Sequence, residues 1–174
     1  MLKKVFSRAS RRNLRILLPA AALLIVVMAL FAWREECLTA KCGGKLLFAW
    51  PIRAGETFEV TYTHSVNLSP ISDVIEWNGH DLVVIKSLFK TFGAGVPIPG
   101  DEAGTELARV GDHYELTGID RHMQGFSIML QEVPNHRISL DSREAWLLEL
   151  AGSGSSVDIA VERVSLFARL ISNA

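Results

Sequence analysis

The chain has 174 residues, 49% of them hydrophobic, and a formal net charge of −1 that is unevenly placed. Residues 34–174 hold 12 of the 18 Lys+Arg and all 19 Asp+Glu, a formal net charge of −7, which excludes nucleic acid as a partner because phosphate binding needs a positive surface. About 140 residues suffice for one domain with a real core and are too few for two, so a single globular unit is expected there.

In chain order, residues 1–15 form a basic segment with Lys3, Lys4, Arg8, Arg11, Arg12 and Arg15 and no acid. Residues 16–33 are an unbroken apolar run of 18 residues, at the short end of what crosses a hydrocarbon core and longer than the ~7–15 of a secretory signal core. Phe31 and Trp33 crowd the place where a cleavage site needs small residues, and Arg34, Glu35 and Glu36 follow at once. The run therefore reads as a retained anchor, and the charged residues ahead of Cys37 argue against a lipoprotein. Pro19 suits the first helical turn, where a missing backbone donor costs least. Positive charge on the N-terminal side predicts a single-pass protein of the bacterial cytoplasmic membrane with its N-terminus in the cytoplasm. Residues 34–174 then face the periplasm, or the outer surface of a cell with one membrane.

Cys37 and Cys42, the only cysteines, stand beside Gly43-Gly44. In an oxidising compartment they are a candidate disulfide that would staple a tight loop, with free structural thiols as the alternative. No further ligands stand near them, so no metal site is expected.

The outer domain reads as all-β. Residues 57–64 alternate, with Phe58, Val60, Tyr62 and His64 on one face and Thr57, Glu59, Thr61 and Thr63 on the other. Similar runs lie at 45–50, 74–77, 81–89, 113–117, 126–130, 144–150 and 157–161, separated by Gly, Pro, Asn and Asp. Many short strands at this spacing predict a β-sandwich or barrel-like domain. Asn78-Gly79 signals a two-residue hairpin. The period then changes: Glu162, Ser165, Arg169 and Ser172 make a polar stripe, and Val161, Val164, Phe167, Ala168 and Ile171 an apolar one, which predicts a short C-terminal helix. Its apolar face packs on the sandwich, or docks on a membrane partner or the bilayer surface.

Catalytic patterns are sparse. His64 beside Ser65, with Asp73 and Glu76 further on, suggests a nucleophile, base and acid, but neighbours on an extended strand point to opposite faces. A core histidine sharing the face of Phe58, Val60 and Tyr62 is the simpler reading. His80, His113, His122 and His136 show no ligand spacing. Gly93 and Gly95 precede Pro97 and Pro99, which forbid the helix N-terminus of a phosphate loop; a shaped turn or binding rim is expected instead. Residues 100–111 read as a polar surface excursion.

The order Tyr62-Thr63-His64-Ser65-Val66, Pro70-Ile71, Glu76-Trp77 and Phe92-Gly93-Ala94-Gly95-Val96-Pro97 resembles the bacterial family known as domain of unknown function 1850. The likeness runs from about residue 46 to 150, and Asn67 stands where that family often has an acid. The resemblance implies a setting, since such proteins tend to be encoded beside TRAP transporters of the TAXI type. It implies no catalytic residues and no cofactor. The expected function is a non-enzymatic accessory subunit that docks or stabilises the TRAP permease and its solute receptor. His64, Ser65, Gly93, Gly95 and Pro97 would form a contact surface or hold the sandwich rim. A small-solute or polysaccharide binding module is the alternative, and an envelope hydrolase using Ser65 or His64 a remoter one.

Overall fold

The computed structural model describes residues 2–92 and 104–172, with side chains from residue 17 onward. Helix α1 (Leu2–Ala32) leads into β1 (Arg34–Cys42), β2 (Lys45–Pro51), β3 (Thr57–Thr63), β4 (Pro70–Trp77) and β5 (Leu82–Phe89). After these come β6 (Glu106–Val110), β7 (His113–Met123), β8 (Gly125–Met129), β9 (Arg137–Leu140) and β10 (Arg143–Trp146). A single turn, α2 (Leu147–Ala151), precedes β11 (Ser156–Ser165) and α3 (Leu166–Ser172).

The strands form two antiparallel sheets, β2-β1-β11-β8 and β10-β9-β3-β4-β5-β7-β6. One core joins their facing sides: Leu38, Phe48, Trp50 and Ile159 from the smaller sheet meet Phe58, Ile71, Phe89, Leu116 and Ile138 from the larger. The alternation of residues 57–64 is realised as far as Tyr62, because Phe58 and Val60 are buried while Thr57 and Glu59 are exposed. Trp77 Nε1 donates to Glu36 Oε2 at 3.0 Å, tying the end of β4 to the start of β1. The connection from β3 to β4 therefore lies at the opposite end of the large sheet from α1.

Several expectations are corrected. Cys37 and Cys42 are free thiols. They lie on one strand whose ladder with β11 is continuous from Arg34↔Ser165 to Cys42↔Val157, so their Cα atoms stand roughly 17 Å apart at ~3.3 Å per residue. A disulfide needs them within ~7 Å. An odd separation also sends them to opposite faces: Cys37 packs with Ala49 and Val164 on the outer side, Cys42 against the central core.

The C-terminal helix is shorter than its pattern implied, since β11 continues to Ser165 through nine pairs with β1 and Val161 packs against the central core. Residues 144–150 divide between β10 and α2, where Leu147 seats in the core from a run of good helix formers. Asn78-Gly79 belongs to a four-residue connection in which Asn78 Oδ1 accepts from the N–H groups of His80 (2.8 Å) and Asp81 (2.7 Å). Residues 106–110 of the expected excursion are an edge strand. Pro19 lies inside α1 rather than in its first turn. Among the described residues no helix is long and apolar enough to cross a membrane.

The thiol geometry sets an expected result. Cys37 is fully buried and its pKa is pushed up to about 11, first by burial, with Arg169 opposing the shift. In the native protein only Cys42 should react with a thiol reagent at neutral pH, both should react in denaturant, and reductant should leave the thermal midpoint unchanged.

Candidate functional site

Of the segments that carry the family resemblance, two form the main blocks, Tyr62-Thr63-His64-Ser65-Val66 and residues 92–97, and the first closes the turn between β3 and β4. Thr63 N–H donates to the Pro134 carbonyl at 2.8 Å and ends the strand against the loop before β9. His64 then folds the chain around itself: its N–H donates to the Ser69 carbonyl and its carbonyl accepts from Leu68 N–H, both at 2.9 Å. Its Nδ1 accepts from the N–H groups of Val66 (3.2 Å) and Asn67 (3.3 Å), which requires that nitrogen to carry no proton. The ring is thus a turn cap, not a core side chain. Ser65 is exposed at the tip, and the Nδ1 bonds of His64 go to backbone, not to its hydroxyl. Asp73 is no partner either, since it lies on the inner face opposite Val60 and Ser87.

Thr91 and Phe92 reach the turn here, because the pairing Ile71↔Phe89 between β4 and β5 aligns residue 69 with residue 91. Ser69 Oγ lies 2.8 Å from Thr91 Oγ1, and Asn67 Nδ2 donates to the Phe92 carbonyl at 3.2 Å. Phe92 packs edge-on to Phe89 (centroids 5.3 Å) and against Tyr114 (4.7 Å). Gly93, Gly95 and Pro97 lie outside the described residues.

The turn and the loops beside it expose several apolar side chains. Val66, Leu68, Phe92, Val110 and Val133 are all exposed. Leu68 is 68% exposed and holds φ at 49°, a left-handed conformation that costs a branched side chain roughly 1–2 kcal/mol. The His64 cap and the Ser69 and Asn67 bonds hold it there. On the outer face of the same sheet, Pro70, Ser72, Leu88, Phe89, Lys90 and His113 line an open cleft of about 320 Å³.

Buried titratable groups lie behind the turn. Burial raises the Asp73 carboxyl above 3.8; Ser87 and Arg121 oppose the shift, although the Ser87 hydroxyl makes no hydrogen bond of full geometry. Tyr62 is pushed up to about 12 by burial and then by the Asp73 charge. It stacks on His136 at 5.3 Å, whose pKa burial lowers. At the other end His122 lies between two carboxylates, Nδ1 at 3.1 Å from Asp81 and Nε2 at 3.0 Å from Asp120, and these bonds raise its pKa. Among the described residues no cluster of three or more His, Cys, Asp or Glu is arranged to hold a metal ion.

Residues 58–147, just over half of the chain, match the family described as Domain of unknown function (DUF1850). The chain belongs to that family. The DUF1850 match takes in nearly all of the large sheet and β8, and leaves α1, β1, β2, β11 and α3 outside. No curated protein and no solved structure matches the chain.

Sequence reasoning found His64 and Ser65 but passed over Val66, Leu68, Ser69 and Thr91. They were visible in and beside the two blocks; what joins the blocks is strand pairing, which no local pattern displays.

Two outcomes are expected. Replacing the turn cap, His64→Ala should lower stability by about 1 kcal/mol in denaturant unfolding, and His64→Asn, which keeps a short acceptor, should recover most of it. His122 should titrate above 6.5 by NMR and move down in Asp81→Asn. Its raised folded-state pKa stabilises below the unfolded value of 6.5, and that contribution fades as pH rises through the folded value.

Proposed function

We propose that this DUF1850 protein is an accessory, membrane-anchored subunit of a TAXI-type TRAP transporter, in which α1 packs beside the permease and the β domain docks its subunits and solute receptor. In this reading it is a single-pass protein of the bacterial inner membrane, with its basic N-terminus in the cytoplasm and residues 34–174 in the periplasm. The observation that carries docking is the strained turn at the end remote from α1, where a leucine is held outward in a left-handed conformation among other exposed apolar side chains. Strain and exposed apolar area both cost stability, and a partner that covers the turn offsets them. The anchor is supported by α1 itself, whose described side chains from Leu17 to Phe31 are apolar and almost all exposed. Tethering confines the turn to within a few nanometres of the permease mouth, so a weak interface suffices.

A binding module for a small solute is the second reading, favoured by the 320 Å³ cleft with apolar Leu88 and Pro70 beside Lys90 and His113. Lys90 is already paired with Asp112 at 2.8 Å, which leaves less charge for a ligand.

Affinity capture of tagged full-length protein in detergent from its native host separates the two. A TRAP permease or receptor should be recovered with the parent and lost with Val66→Asp/Leu68→Asp, provided the variant keeps the parent's thermal midpoint. Capture of neither by an intact bait would overturn the subunit reading.

A further inference from the structure

We infer that α3 is a second contact with the lipid bilayer, a short helix seated at the headgroup–acyl boundary that fixes how the β domain stands on the membrane. This rests on the reading of α1 as an anchor.

The ladder between β1 and β11 ends with Arg34 opposite Ser165, so the chain enters α3 beside the point where it leaves α1. Leu166 N–H donates to the Trp33 carbonyl at 3.0 Å, and the rings of Phe31 and Phe167 stack with centroids 4.6 Å apart. One side of α3 is committed to the protein. Ala168 packs on Cys37, Ala49 and Val164, Ser165 Oγ accepts from Ala168 N–H at 3.3 Å, and Arg169 is held by Glu35 at 2.7 Å. These contacts set the rotation of the helix.

That rotation turns Phe167, Leu170 and Ile171 away from the domain, at positions i, i+3 and i+4 of one face. Leu170 is 55% and Ile171 65% exposed. The occupant is lipid because this stripe continues, through the Phe31–Phe167 stack, the exposed apolar surface of α1. Trp33, 68% exposed at the junction, is the residue type that marks a membrane–water boundary. A stripe this short would not hold a helix on a bilayer alone, but here α1 supplies the attachment and α3 only orientation. The outer face of the small sheet then leans toward the bilayer, and the turn at 64–69 points away from it.

The test uses full-length protein in vesicles of phosphatidylethanolamine and phosphatidylglycerol, in a Cys42→Ser background where Cys37 is shielded. Spin labels attached through Val27→Cys, Ile171→Cys, Ser172→Cys and Val66→Cys are read by their relative accessibility to oxygen and to a water-soluble nickel chelate. The label at 27 should report hydrocarbon, that at 171 the boundary and that at 66 water; the one at 172, on the opposite side of α3, should be less lipid-exposed than the one at 171. Water at 171 with hydrocarbon at 27 overturns the inference and leaves the anchor. Water at both overturns the anchor reading, and the inference with it.

Discussion

The antiparallel pairing of β1 with β11 is the constraint on which the rest of the architecture depends. Nine consecutive pairs join strands that lie more than a hundred residues apart in the chain. Thr39 reinforces the ladder by donating to the Ala160 carbonyl, and Lys41 bridges to Glu162 across it. With both strands central in the small sheet, β2 and β8 have edges to add to, and the inner face that covers Phe58, Ile71 and Leu116 is complete. The same pairing brings α1 and α3 together. It also explains why both cysteines are tucked into protein on a strand too extended to link them.

What could be read from the sequence follows physical lines. Strands with one wet face, such as β3, announce themselves by alternation. The strand β1 did not, because Cys37, Leu38, Thr39 and Ala40 are all buried, covered on one side by the central core and on the other in part by α3. A strand dry on both faces has no period of two. At the C-terminus, residues 161–165 carry a helical spacing and are nevertheless extended, since a long ladder outweighs the small propensity differences of a few side chains. The β character was legible; the choice between a sandwich and a barrel-like closure and the order of strands were not, because they depend on pairings remote in sequence.

The candidate site divides in the same way. His64 stood out through its place in the Thr-His-Ser-Val block, but its role as a cap depends on the strand ending at Thr63, a point set by the Pro134 carbonyl from a distant loop. The link between the two blocks is made by Asn67, Ser69 and Thr91, polar residues of ordinary type whose importance lies in being opposite one another. The outward display of Leu68 is a backbone property, and no sequence pattern predicts a leucine with positive φ.

The remoteness of β1 from β11 has a temporal consequence. Thr39 and Ala160 are 121 residues apart, so at ~5–20 residues per second β1 leaves the ribosome roughly 10 s before its partner strand exists. The seven strands of the large sheet are all made in that interval, while Phe48 and Trp50 wait on a hairpin with one side unpaired. An unpaired edge beside exposed aromatic rings is a hazard for wrong pairing with other chains. Completion of the fold thus waits for the synthesis of β11, and a nascent chain of this kind stands to gain from a holdase until that strand arrives.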